Sequence, residues 1–278
     1  MQLELPKVIS GTTSLGNIYK EMPFPEKMAI VKEYIDASPG TPMFDSAGKY
    51  GAGLALEVLG QCLKELGVKK NDVLISNKLA WVRKPLTTPE PTFEPGVWHN
   101  LKYDAEQKIS YDGILHCFED GNELLGEYDS QFASVHDPDE YLAAAKDKED
   151  YEKRYDDILE AYRALNDLKS RGVVAGVGIG AKDWRSIEKI SKDVKLDWVM
   201  IANSFTIYNH PKELVDFVET LHQQNIIIIN SAVFHGGFLM GSDFFNYTEL
   251  SRENPEHKKY YDWRDKFNTI CNEYNIEP

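Results

Sequence analysis

Short apolar runs rich in β-branched residues alternate along this chain with longer segments whose apolar positions recur at helical spacing. The runs are "VISGTTS" (8–14), "PMFDSA" (42–47), "DVLISNKLAW" (72–81), "FASVHD" (132–137), "VVAGVGIG" (173–180), "WVMIANS" (198–204) and "NIIIINSAV" (225–233). Between them lie amphipathic segments at 25–38, 53–68, 111–126, 152–172, 183–193 and 211–224, several ending in Gly just before the next strand. Strand followed by helix, repeated in this way, predicts βα units and a parallel sheet. Gly after the last helical position supplies the helix stop and a short return loop.

Two stretches break the rhythm. Residues 83–109 carry Pro85, Pro89, Pro91 and Pro95 and show no periodicity, so they are expected to form a long insertion after the third strand. Long irregular loops in compact domains usually serve as lids or binding loops. After the seventh strand come "HGGFLMGSDFFNY", a polar stretch, and a helical segment "EHKKYYDWRDKFNTICNEYN". Seven βα units are one short of the closed eight-stranded (β/α)8 barrel. The expectation is a single barrel domain over 1–278 that lacks its last βα unit, with the native product continuing past Pro278 or those residues missing from this chain.

In such a barrel the working residues sit at the C-terminal ends of the strands, because every βα loop opens onto that face. Asp45, Lys78, His136 and Asn203 all fall at such ends, and Tyr50 follows Asp45 within the turn "DSAGKYG". Each has a plain structural reading: Asp45 as a turn or cap residue, Lys78 as a solvated flank, His136 as the start of an Asp-Pro turn, Tyr50 as a partly buried aromatic. Together they say more. A phenol with an ordinary pKa of about 10 is a poor acid or base at neutral pH unless its phenolate is stabilised. An ammonium beside it does that, and a carboxylate beyond the ammonium keeps the lysine charged and oriented. An imidazole next to the phenol can then hydrogen-bond a substrate oxygen, completing a proton relay.

The stretches that carry these residues resemble the aldo-keto reductases. "FDSAGKYGAGLALEVLG" resembles their tyrosine-bearing signature, "ISNKLAW" their lysine strand and "SVHDPD" their histidine strand, in the same order, and the resemblance runs from residue 8 to about 275. It implies an α/β barrel that moves a hydride between NAD or NADP and a carbonyl or alcohol without a metal. It also implies roles: Tyr50 as general acid/base, Lys78 lowering its pKa, Asp45 paired with Lys78, His136 orienting the substrate oxygen. Asn203 matches the position that bonds the nicotinamide carboxamide. The turn at 231–241, with Ser231, Gly236, Gly237 and Leu239, matches the loop that wraps the pyrophosphate. "VISGTTSLGNIY", "ISYDGILHCFEDGNELLG" and "DWVMIANSFTIYNHP" look like the branch holding the L-fucose, D-threo-aldose 1- and pyridoxal 4-dehydrogenases. That implies oxidation of a free aldose at the anomeric carbon to the lactone. Trp81 and part of the 83–109 loop are expected to line the sugar pocket, an indole face suiting sugar C–H bonds, although Trp81 serves equally well as rim packing.

The chain departs from the family at two cofactor positions. After the fifth strand it reads "GVGIG" where many relatives have Ser-Asn, and Asn230 stands where many have a nicotinamide-stacking tyrosine, leaving Phe205 or Phe234 as substitutes. With the eighth unit missing, NAD and NADP are not distinguished. A nicotinamide-binding regulatory protein on the same barrel, a reductase of small aldehydes and a Schiff-base lyase using Lys78 are the competing readings. The lyase is disfavoured because a charge-paired lysine stays protonated.

Composition narrows the partners. A formal net charge of -14 argues against a nucleic-acid footprint and against a polybasic membrane surface. Cys62, Cys117 and Cys271 have neither the number nor the spacing of a disulfide framework or zinc site. No stretch has the length and apolarity of a membrane span, and the N-terminus lacks a signal-peptide pattern. A cytoplasmic protein acting on a small sugar or aldehyde is expected, with its oligomeric state left open.

Overall fold

The structure is a computed structural model and describes residues 5–246 and 248–277. Seven strands form one parallel sheet: β1 (Ser10–Gly11), β2 (Met43–Ala47), β3 (Leu74–Leu79), β6 (Phe132–His136), β7 (Gly176–Ala181), β8 (Trp198–Ala202) and β9 (Ile227–Ser231). They are hydrogen-bonded in chain order, and every neighbouring pair is parallel. The crossovers carry α1 (Phe24–Ala37), α2 (Leu54–Glu65), α3 (Tyr111–Leu125), α5 (Lys148–Ser170), α6 (Trp184–Ile190) and α7 (Lys212–Gln223). A short α4 (Pro138–Ala143) precedes α5, and α8 (Lys258–Tyr274) ends the described chain.

All five residues of β2 and of β6 and all six of β7 are buried, as strands covered on both faces must be. In β9 no residue is fully buried. Among the described residues nothing closes the sheet between β1 and β9, so the strands make an open barrel seven strands wide. Inside it, the indole of Trp198 lies where a Cβ on Gly178 would be, 2.1 Å from the ring atom Cδ2. The neighbouring strand therefore gives up a side chain so that one large ring can fill the centre.

The strand bounds differ from the apolar runs for local reasons. The third run ends at Leu79 because Ala80, at φ 147°, turns the chain. The seventh is bounded by Asn225 (φ 58°) and Ala232 (φ 53°), whose left-handed backbone stops the ladder. The expectation of an insertion without secondary structure needs correcting. Its two ends pair as an antiparallel ribbon, β4 (Trp81–Pro85) with β5 (Tyr103–Gln107). Val82 and Ala105, both nearly inaccessible, lie on opposite faces of the ribbon, Val82 against the main core and Ala105 against Phe93 and Trp98, and the prolines between them obscure this short pattern.

Candidate active site

The strand register sets the site. Lys78 pairs with Ala47 on one side and Ser134 on the other. Asp45 lies two residues before Ala47 and His136 two residues after Ser134, so with a side-chain period of 2 all three point to the same face. Gly180 is the register partner of His136. A Cβ there would sit 3.2 Å from Lys78 Cδ, so the glycine leaves a channel for the lysine stem.

Tyr50 arrives from the turn after β2. That turn is held by a close backbone approach: a Cβ on Gly51, which has φ +62°, would lie 2.4 Å from the Gly16 carbonyl oxygen. A Cβ on Gly16 would in turn lie 2.9 Å from the Tyr50 carbonyl carbon. Two glycines face to face thus fix the backbone on both sides of the phenol.

Lys78 Nζ donates to Asp45 Oδ2 in a buried ion pair and lies 4.7 Å from the centroid of the Tyr50 ring. The His136 ring stands edge-on to Tyr50, with centroids 5.5 Å apart at 86°. Burial, reinforced by the ammonium groups of Lys78, Lys49 and Lys182, holds the His136 pKa well below the ordinary imidazole value, so the ring is neutral at neutral pH. Among the described residues its Nδ1 is buried without a partner, whereas Nε2 is 3.6 Å from Asp137 Oδ2. A proton on Nε2 would point toward that carboxylate and the cavity, whereas one on Nδ1 would have no acceptor among the described residues.

These four residues line a cavity of about 410 Å³. Asn203, Ser231, Gly236 and Gly237 line the same cavity from beyond β8 and β9, as does the exposed Phe234. Asn203 is nearly buried at φ 62°, and its backbone N–H donates to Ser231 O at 3.1 Å. A buried carboxamide side chain that can donate and accept, beside a wall of Gly11, Gly180, Ala181 and Ala202, suits a flat ring bearing a carboxamide. Gly236 (φ 74°) and Gly237 (φ 92°) permit a close backbone approach there, although the Gly237 N–H already donates to Phe234 O at 3.0 Å. The donors and the space fit the nicotinamide end of a dinucleotide.

Two residues singled out from sequence lie elsewhere. Leu239, in a short 3-10 turn, points into a cluster with Phe238, Phe245, Leu250 and Tyr261, so it anchors the loop rather than facing the cavity. Trp81 does not line the cavity either. Its ring packs on Phe93 at 5.9 Å, with Lys49 Nζ 5.5 Å above it, because β4 turns away at Ala80. The insertion reaches the cavity instead through Glu94 and Trp98, the latter with its ring centroid 5.9 Å from that of Tyr50. Of the two phenylalanines considered as stacking substitutes, Phe234 borders the cavity and Phe205 lines a separate apolar groove.

Sequence reasoning also passed over a buried charge cluster at the mouth. Lys49 is 3% exposed and bonds Glu94 (2.6 Å), Glu140 (3.0 Å) and Asp137 (3.4 Å). Burial opposes its charge, but the three carboxylates outweigh that and raise its pKa above the ordinary lysine value. Lys182, just after β7, joins Asp137 at 3.5 Å and also pairs with Glu140. The only signal for Lys49 was its place beside Tyr50 in "GKYG", and no periodicity marks a buried lysine in a turn.

The sequence profile of the aldo/keto reductase family matches residues 7–278. The chain is 25% identical to the pyridoxal 4-dehydrogenase of Microbacterium luteolum, over 96% of its own length and 77% of that enzyme's. It is 23% identical to the D-threo-aldose 1-dehydrogenase of a Pseudomonas species, over 87% of its own length and 69% of that enzyme's. Among solved structures, the glycerol dehydrogenase of Gluconobacter oxydans superposes with a TM-score of 0.67 at 16% identity, covering 100% of this chain and 77% of that one. Across the first such relatives the chain spans from 61% to 77% of the matched protein's length.

Proposed function

The chain belongs to the aldo/keto reductase family of NAD(P)-dependent oxidoreductases, and from that premise we propose that it oxidises a free aldose such as L-fucose at the anomeric carbon, giving the lactone. The observation that carries this reading is the placement of Lys78 between the Asp45 carboxylate and the face of Tyr50, with a neutral His136 beside the phenol. The ammonium stabilises a phenolate on Tyr50, and Asp45 keeps the ammonium charged in a buried place. The phenolate takes the proton of the anomeric hydroxyl. His136 Nε2–H donates to the same oxygen and holds it toward Tyr50. A bound nicotinamide supplies the acceptor for the hydride that leaves C1. Asn203, Ser231 and the Gly236–Gly237 turn would hold that cofactor, and either NAD or NADP suits this donor set.

Two features support a polyhydroxylated substrate. The cavity mouth offers the carboxylate of Asp137, which accepts from hydroxyl groups, beside the indole of Trp98, which suits a face of C–H bonds. The similarity to relatives named D-threo-aldose 1-dehydrogenase and pyridoxal 4-dehydrogenase supports a small carbonyl or sugar substrate. The reading is tested by a coupled assay of NAD and NADP reduction with L-fucose, D-arabinose, L-galactose and pyridoxal. The Tyr50→Phe variant should lose about 10²- to 10⁴-fold in kcat while binding cofactor as before. Near-normal turnover by that variant would sink the mechanism. Cofactor binding by the unmodified protein with no turnover of any carbonyl or sugar would favour a regulatory role instead.

A further inference from the structure

We propose that Glu94 is a positioning residue that holds the Trp98 indole as the substrate-facing wall of the cavity, an inference that rests on the aldose reading above for its kinetic consequence. The Glu94 carboxylate is divided between two partners: Oε1 accepts from Lys49 Nζ at 2.6 Å and Oε2 from Trp98 Nε1 at 2.7 Å. The three side chains form one chain of contacts from the buried charge cluster to the indole. At its far end Trp98 lies beside Tyr50, the rings tilted 35°. The cavity is bounded by all four residues.

The backbone around Trp98 is already fastened by other means. Trp98 pairs with Ile18 in an isolated bridge, Tyr19 N–H donates to Val97 O at 2.9 Å, and His99 N–H to Asn17 O at 3.1 Å. Those bonds set where the Trp98 main chain runs, and packing with Ala52, Phe93 and Ala105 confines its side-chain torsions without giving the indole N–H a partner. The bond from Nε1 to Glu94 restricts them further, and Lys49, fixed by Asp137 and Glu140 on the barrel rim, restricts Glu94 in turn. Glu94 itself has φ 43°, a left-handed conformation that strains a non-glycine residue and persists only where surrounding contacts over-determine it. Gln in place of Glu94 can still accept from the indole, whereas Ala can accept from neither partner.

The experiment measures Glu94→Ala, Glu94→Gln, Trp98→Phe and the Glu94→Ala/Trp98→Phe double variant, with the best aldose of the screen as substrate. The loss of a charge-assisted bond that orders the wall should raise KM about tenfold in Glu94→Ala with kcat within about twofold, and Glu94→Gln should recover most of it. Trp98→Phe removes the indole N–H, so the double variant should be no worse than the worse single variant. KM rises that multiply in the double variant would mean that Glu94 acts apart from Trp98, and a kcat loss at constant KM would place it in the chemical step. Either result overturns the proposal. The indole ¹H–¹⁵N resonance missing from Trp98→Phe identifies Trp98 without any substrate. In Glu94→Ala it should move upfield, as for an indole released from a carboxylate, and it should return toward its original position in Glu94→Gln. An unmoved resonance refutes the proposal even if no aldose is turned over, whereas a moved resonance with no turnover refutes only the aldose reading.

Discussion

Removing Lys78 and Asp45 separately and together separates what this ion pair does for stability from what it does for chemistry. Lys78 is 3% exposed and Asp45 6%, and Asp45 Oδ1 has no hydrogen-bond partner among the described residues, so each charge depends heavily on the other. Breaking a buried pair from one side typically costs about 3–5 kcal/mol, because an uncompensated charge is left in a poorly solvated place. Lys78→Met and Asp45→Asn should each lose about that much, which a domain of ordinary stability survives. Were the two losses independent, the double variant would lose roughly 6–10 kcal/mol. Replacing both members of a buried pair removes the uncompensated charge and leaves chiefly the cost of an unpaired buried carboxamide, so the double variant should instead lie within about 3 kcal/mol of the parent. Activity should not follow this recovery. Without an ammonium beside Tyr50 the phenol is a poor base, and kcat should stay about 10²- to 10⁴-fold down in Lys78→Met and in the double variant alike. Urea unfolding gives the stabilities and the coupled assay gives kcat. Additive destabilisation, or restored turnover in the double variant, would refute the pairing argument.

Because His136 has its pKa held well below the ordinary value of about 6.5, the unfolded chain binds its proton first as pH falls, and the stability contributed above pH 6.5 is lost below it. Unfolding curves from pH 8 to 5 should therefore show an extra slope of up to about 1.4 kcal/mol per pH unit below 6.5 that is missing in His136→Asn; equal slopes would contradict a buried neutral imidazole. Lys49→Met leaves Glu94, Asp137 and Glu140 facing one another; since two of these are partly exposed, the loss in urea unfolding should be a modest 1–3 kcal/mol or so, shrinking at high salt as their repulsion is screened. A loss that grew with added salt would show that the cluster is not what Lys49 stabilises. Gly51→Ala should cost more than the roughly 1–2 kcal/mol of a left-handed alanine, because its Cβ collides with the Gly16 carbonyl, and should lower kcat by displacing Tyr50. Gly67→Ala, with a similar φ of +70° and open space around it, should show only the backbone cost and full activity.

The pattern of runs and amphipathic segments located every strand of the main sheet, because a parallel strand buried on both faces is written locally as an unbroken apolar run. Strand ends were less legible, since Ala80, Asn225 and Ala232 stop their strands by left-handed or turned backbone that any of these residue types leaves unmarked. The β4–β5 ribbon escaped for a related reason: its stabilising contacts are cross-strand and its intervening prolines read as irregular loop.

The sequence by itself determined the order of the βα units, the positions of Asp45, Tyr50, Lys78, His136 and Asn203 near strand ends, and the resemblance their motifs carry. Such features follow from spacing along one strand or one turn. Only the tertiary structure decided that Trp98 rather than Trp81 borders the cavity, that Leu239 faces the core, and that Lys49 is buried among Glu94, Asp137 and Glu140. In each case the outcome depends on residues brought together from three or more separate elements. A lysine has no way of showing in its own neighbourhood that carboxylates 45, 88 and 91 positions away will surround it, because the free energy that keeps it charged exists only once the barrel has assembled them.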